Sequence, residues 1–290
     1  MNRKSKAVIF ALLAAALYAI NSPVSKLLLN HIPATMMAGF LYLGAGIGIF
    51  LFGRIRKMTG WEHKESPLTR KDLPYTIGMV VLDIAAPVCL MIGLTKTTAA
   101  NASLLNNFEI AATAVIALFV FKEAVSPRLW GAIFCVTLAS TMLSFEDVSS
   151  LSFSWGSLLV LLASVCWGLE NNCTRMLSAK DPLQIVTIKG IFSGLGSLTI
   201  AFLIGEWYFN IPYILTAMLL GFVAYGLSIF FYIYAQRDLG AAKTSACYAV
   251  APFIGTALSF LIFREIPSCI FLTALCIMIL GTYLAAEKDS

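Results

Sequence analysis

Apolar residues run through this chain in ten long blocks separated by short polar breaks. The blocks cover residues 7–29, 34–52, 73–94, 98–121 and 127–145, then 155–176, 183–204, 213–235, 241–263 and 267–286. Each has roughly the 20 residues a helix needs to cross a hydrocarbon layer. Pro33, Pro74, Pro127, Pro182, Pro212 and Pro267 stand where blocks begin, which suits proline in a first helical turn. Pro87 and Pro252 fall inside blocks and are expected to kink them. The pattern predicts an all-α integral membrane protein with ten transmembrane helices.

The fourth block has an echo in the ninth. Residues 99–123, AANASLLNNFEIAATAVIALFVFKE, align without gaps on residues 241–265, AAKTSACYAVAPFIGTALSFLIFRE, at an offset of 142. Ser103 meets Ser245, Phe121 meets Phe263, and a Lys-Glu pair meets Arg-Glu. A second match joins residues 12–33 to 161–182 at an offset of 149, with Tyr18 on Trp167, Lys26 on Arg175 and Pro33 on Pro182. The offsets differ because the loop at 54–72 is longer than its counterpart at 205–212. The chain therefore divides into two repeats of five helices, residues 1–146 and 147–290.

Composition agrees with a lipid environment: 59% of the 290 residues are hydrophobic, 12% are charged, and the mean hydropathy is +0.86. The net charge of +5 has a topological explanation, so it gives no nucleic-acid signal. With the N-terminus inside, sixteen Lys and Arg fall on cytoplasmic segments and three (Lys26, Lys96, Arg264) outside, while Lys189 lies within a block. That asymmetry predicts cytoplasmic N- and C-termini in a plasma membrane, of the bacterial inner-membrane kind. The start, MNRKSK before an apolar run, resembles a signal peptide, but the run is too long for one and a retained first helix is expected. Five helices per repeat is an odd number, so the repeats must insert upside-down relative to each other, a recurring carrier plan with its site at the midplane.

Ten short blocks, a 5+5 duplication and a basic-acidic pair closing the fourth and ninth helices resemble the drug/metabolite transporter superfamily, EamA type. The residues that carry the likeness are Lys122-Glu123 with Gly131, and Pro252 with Arg264-Glu265. The chain departs from that pattern where the fourth helix has Ile110, preceded by Glu109, opposite Pro252 of the ninth. The resemblance implies a ten-helix carrier with helices 1–4 and 6–9 around a central cavity and helices 5 and 10 outside it. It also implies export or exchange of small metabolites, amino acids among them.

Four ionisable residues lie inside blocks: Asp83, Glu109, Glu170 and Lys189. Such groups in a bilayer are costly and mark function by default. Asp83 and Glu109 are equidistant from the turn at Lys96, so a hairpin sets them at one depth. Two carboxylates in a low dielectric do not both ionise readily, which suits proton carriage or cation binding. Asn106 shares a helical face with Glu109. Glu170 and Lys189 are likewise equidistant from the turn near Lys180, and are expected to form an ion pair, structural or gating. Trp167, Glu170 and Asn171 fall on one face of the sixth helix. Their repeat mates Tyr18 and Asn21, with Tyr248 on the ninth helix, complete a candidate cavity lining. Aromatics there otherwise serve as core or as interface anchors.

The Gly44/Gly48 and Gly190/Gly194 pairs fit close helix packing. The two His (His31, His63) and the seven Cys form no ligand spacing, so neither metal, disulfide nor other cofactor is expected. No P-loop, HExxH or GxSxG occurs. The expected function is secondary transport of a small organic solute, amino-acid-like and zwitterionic or cationic, coupled to protons and directed to export or exchange. The alternatives are a membrane enzyme acting on lipid and a channel-like facilitator. The expected partners are that solute and the bilayer, with monomer and homodimer both open.

Overall fold

The computed structural model describes residues 3–58, 65–121, 126–147, 152–239, 244, 247–264 and 266–286. Lys122, Glu123, Glu265 and His63 lie outside the described residues. Among the described residues every block holds helix: α1 (Arg3–Ala19), α2 (Asn21–Leu28), α3 (Ala34–Met58), α4 (Leu73–Lys96), α5 (Ala99–Leu105), α6 (Phe108–Phe121) and α7 (Pro127–Ser144). The second half continues with α8 (Trp155–Leu177), α9 (Pro182–Leu203), α10 (Ile211–Gly221), α11 (Ser228–Leu239), α12 (Ala251–Phe263) and α13 (Cys269–Ala286). A short antiparallel pair, Phe145–Asp147 with Ser152–Phe153, links the halves. Among the described residues, six helical stretches are long and apolar enough to cross a membrane: Ser5–Leu28, Ala34–Met58, Arg70–Lys96, Ala99–Val120, Pro182–Leu203 and Ile211–Asp238. Ala251–Phe263 and Cys269–Leu284 are shorter apolar helices. The chain is thus a multi-pass membrane protein.

Three blocks expected to be continuous are not. The first breaks at Ile20, between α1 and α2. Pro23 has no N–H to donate back to Ala19, so the ladder cannot run through. The fourth breaks at Asn106 and Asn107, where Asn107 and Glu109 bond three residues back, to Leu104 and Asn106, instead of four. Paired asparagines compete with the helix for their own backbone. The eighth widens into a π-helical segment, Phe222–Leu227, between α10 and α11. Pro252, expected to kink the ninth block, instead sits in the first turn of α12, while Pro87 lies inside an unbroken α4. Side chains cap the starts of α5, α8 and α9: Thr98, Ser154 and Asp181 accept from Asn101, Ser157 and Leu183.

The packing alternates between the halves. α3 lies along α9, α4 along α8, α1 along α11, α5 along α12, and α7 along α13. The α3–α9 contact is backbone to backbone: a Cβ on Gly190 would stand 2.3 Å from Gly46 N. Gly44 meets Met218 and Gly221 meets Leu41 in the same way across α3 and α10. Replacing Gly190 with alanine is therefore expected to lower stability by about 1–3 kcal/mol through overpacking. Thermal melting in detergent measures it, and an unchanged melting temperature would show that α3 and α9 can separate freely.

Candidate functional site

Residues close to the two breaks and one from the π segment line a single cavity: Tyr18, Glu109 and Tyr225. Tyr18 reaches it from α1, Tyr42 from α3, Glu109 from the first turn of α6, and Lys189 from α9. α8 contributes Trp167, Glu170, Asn171 and Thr174. Tyr225, Ile229, Tyr232 and Tyr248 close the remaining wall. Both halves of the chain supply walls.

Six of these residues are aromatic, and their rings touch. The Tyr18 ring centroid is 6.4 Å from that of Trp167, 5.8 Å from Tyr225 and 5.7 Å from Tyr248. Tyr42 and Tyr225 lie 5.0 Å apart, as do Tyr232 and Tyr248. Most of the polar tips already have protein partners. Tyr42 OH donates to Asp83 Oδ1 at 2.8 Å, and Trp167 Nε1 donates to Tyr42 Oη at 3.5 Å. Asn21 Nδ2 donates to Tyr225 Oη at 3.0 Å, and Tyr248 and Ser228 share a hydrogen bond at 3.3 Å.

The charges beside the rings form a buried bridge. Lys189 Nζ lies 2.9 Å from Glu170 Oε1 and 3.0 Å from Asp83 Oδ2. All three are nearly sealed from solvent, with exposures of 4%, 2% and 0%. Thr174 donates to the same Glu170 oxygen. Glu109 stands apart from this bridge and accepts from Asn171 Nδ2. Two carboxylates thus hold one ammonium and Glu109 adds a third acid beside them, so the ionised site is acidic.

The offsets read from the sequence pair several of these residues. The offset of 149 pairs Tyr18 with Trp167 and Asn21 with Glu170; the offset of 142 pairs Asp83 with Tyr225. The neutral Asn21–Tyr225 hydrogen bond therefore has its counterpart in Glu170 and Asp83, joined through Lys189. One half of the site is charged and the other neutral.

Of the residues proposed from sequence, Tyr18, Glu109, Trp167, Glu170, Asn171 and Tyr248 line the cavity, and Lys189 joins them. Asp83 lies behind Tyr42, fully buried. The expectation of an Asp83–Glu109 acid pair without a base is corrected, because Lys189 takes both Asp83 and Glu170. Depth matching inside one hairpin suggested the acid pair; α4, however, packs against α8 and α9 from the other half, which turns Asp83 toward Lys189. Asn106 is buried at the end of α5 and outside the lining. Asn21 is also outside the lining and holds Tyr225 instead. Tyr42, Tyr225, Tyr232 and Thr174 were not proposed as site residues; the offset of 142 from Asp83 was the signal that could have found Tyr225.

Apolar helices around an aromatic-walled cavity that carries ionisable groups define a membrane protein with a candidate site in its interior. The chain belongs to the EamA-like transporter family, whose model matches residues 5–145 and 154–286. An uncharacterized transporter of Methanothermobacter thermautotrophicus is 26% identical over 271 residues, covering 87% of this chain and 78% of that one. The uncharacterized transporter YyaM of Bacillus subtilis is 24% identical over 208 residues, 68% of each chain. A solved structure described as "Crystal structure of protein" has the same fold, with a TM-score of 0.69 at 15% identity, covering 98% of this chain and 96% of that one. Family membership makes the chain a membrane transporter and places it in the drug/metabolite transporter superfamily.

Proposed function

We propose that this transporter is a secondary carrier, not an enzyme, and that it moves a small zwitterionic or cationic, amino-acid-like metabolite across the plasma membrane by proton-coupled export or exchange. The observation that carries the proposal is the cavity itself: an acidic site walled by aromatic rings from both halves. A substrate ammonium and a proton would compete for Glu109, and that competition would couple the two fluxes. The bridge of Asp83, Lys189 and Glu170 ties α4, α8 and α9 together beside the cavity, where movement between halves would strain it.

The carrier is read as ten spans in two inverted repeats, residues 1–146 and 147–290. The separate family matches to the two halves support this. So does the exchange of contacts, with α4 on α8 repeated as α11 on α1. Both termini are taken as cytoplasmic. Segments assigned to that side do meet: Arg237 pairs with Glu65 at 2.7 Å and Lys180 with Asp72 at 3.1 Å. Lys26, assigned to the opposite side, bonds the backbone at Leu94 and Thr97 beside Lys96. Reporter fusions after Asp72 and Ser290 are expected to read cytoplasmic and one after Ser150 external; an external Ser290 would defeat the inverted-repeat topology.

The carrier reading is tested in proteoliposomes. Purified protein is first screened for metabolites that raise its melting temperature, since a ligand stabilises by mass action. Uptake of the stabilising solute is expected to saturate and to accelerate under an opposing proton gradient. Flux that stays linear with concentration would indicate a channel.

A further inference from the structure

A carrier must cover its cavity at one membrane face while the other is open, and one short helix has the build of such a cover. We propose, on the carrier reading above, that α2 (Asn21–Leu28) is a hinged lid over the end of the cavity marked by Tyr18 and Tyr225, and that Lys26 latches it shut on the carbonyl end of α4.

Three features of α2 point there. The first is a hinge at Ile20, where α1 ends and α2 begins. Pro23 has no N–H for the Ala19 carbonyl, so one hydrogen bond fewer resists bending at that point. The second is the seat. On the N-terminal side of the hinge, Tyr18 lines the cavity. On the C-terminal side, Asn21 Nδ2 donates to Tyr225 Oη at 3.0 Å, and Ser25 donates to Asn21 Oδ1 at 3.1 Å. Asn21, Ser22 and Ser25 are all nearly sealed from solvent, beside Pro23 and Leu28. A helix packed permanently turns its apolar stripe inward. Here half of the buried face is polar, and neutral polar groups exchange a protein partner for water at small net cost. α2 also lies along no single neighbour, touching α5, α12, α10 and α4 in turn.

The third feature is the latch. Lys26 Nζ donates to the carbonyls of Leu94 and Thr97, the latter at 2.7 Å. α4 ends at Lys96, so these oxygens lie in its last turn and just beyond, at the negative end of its dipole, where no further helical N–H follows. Letting go of Lys26 leaves neutral carbonyls that water can satisfy. Letting go of Lys189 would strand two sealed carboxylates. The Lys26 contact is therefore built to open and close, and the Lys189 bridge to stay.

The test measures access to the cavity with a probe that needs no known substrate. The full-length chain carries Ile229→Cys, a cavity residue, and is treated with a membrane-impermeant methanethiosulfonate bearing a trimethylammonium group. Modification of that residue is followed by peptide mass spectrometry, which separates it from the native cysteines. Spheroplasts present one membrane face to the reagent and inside-out vesicles the other. At the face that α2 covers, Lys26→Met is expected to speed modification about tenfold by shifting the lid toward its open state. Lys26→Arg keeps a donor for the α4 carbonyls and should react at close to the parent rate. Pro23→Ala restores the missing N–H, stiffens the hinge and is expected to slow modification at the same face about threefold or more. General loosening of the fold would speed the reaction at both faces and in every variant. Equal acceleration at both faces by Lys26→Met, no change in it at either face, or acceleration by Pro23→Ala would overturn the lid. Saturable flux of the solute found by melting, with modification rates indifferent to Lys26 and Pro23, would sink the lid and leave the carrier standing. The expected rates with no saturable flux would do the reverse.

Discussion

Replacing Lys189 with methionine is expected to destabilise the protein by about 3–5 kcal/mol, the usual result of stranding buried charge by removing one partner of an ion pair. Here the loss leaves two carboxylates, Asp83 and Glu170, both nearly sealed from solvent and both aimed at the vacated position. Unfolding in detergent with increasing denaturant measures the effect. Neutralising the partners as well, in Asp83→Asn/Glu170→Gln/Lys189→Met, is expected to restore most of the lost stability, because replacing a whole buried ionic group is often close to neutral. Glu170→Gln alone is expected to be milder than Lys189→Met, since Lys189 keeps Asp83. If Lys189→Met were as stable as the parent chain, the bridge would not be ionised and its proposed part in tying α4, α8 and α9 would fail.

Glu109→Gln has the largest expected effect on transport with the least effect on folding. Glu109 stands outside the Lys189 bridge, and Asn171 donates to a carboxylate oxygen that an amide oxygen can replace. The substitution removes a counter-charge from the ring-lined cavity while keeping the shape. Transport is expected to fall to background and melting to stay within a degree or two of the parent. The sign of the pH dependence follows from competition: a proton and a cationic substrate both bind the ionised carboxylate and exclude each other, so affinity should weaken as the pH falls. In Glu109→Gln that dependence should flatten. Asp83→Asn, behind Tyr42, should leave substrate affinity close to the parent value while loosening the Lys189 bridge. If Asp83→Asn abolished substrate binding and Glu109→Gln preserved it, the two acids would have exchanged roles.

Much of this architecture was written in one-dimensional pattern. Block length gave the helices, and proline positions gave most of their starts. The spacing of Glu170 and Lys189 about a turn placed them at one depth, because two helices of a hairpin rise equally from their connection. What spacing within a hairpin does not carry is the neighbour across the repeat. Asp83 looked toward Glu109 on that logic, but α4 packs on α8 and α9, and Lys189 lies there. The breaks at Ile20 and Asn106 were hidden for another reason. Hydropathy averages over a block, whereas a break depends on single residues, Pro23 in one case and two asparagines in the other. The tyrosines were hardest to see. A Tyr in an apolar block reads equally as core or as interface anchor, and only the convergence of α1, α3 and α11 with the π segment makes Tyr42, Tyr225 and Tyr232 one wall. The repeat offset did contain part of that wall, since it carries Asp83 onto Tyr225.

That convergence also gives the site its asymmetry. Rings from the two halves of the chain meet there, Tyr18 against Trp167. The polar pair differs: Asn21 with Tyr225 on one side, and Glu170 with Asp83 and Lys189 on the other. A neutral hydrogen bond separates and reforms at modest cost, whereas a buried ionic bridge does not. The neutral side is therefore the one expected to yield first when the halves move.

The claim at the centre of this account is that substrate and proton share Glu109. Proton release on binding tests it most directly. The solute that most stabilises the purified protein is added to it in weakly buffered detergent solution, and the pH change is recorded against the same addition to Glu109→Gln. The parent protein is expected to release protons in proportion to the sites filled, most strongly at mildly acidic pH, and the variant to release none. Equal release from both proteins, or binding without release at any pH, would contradict it.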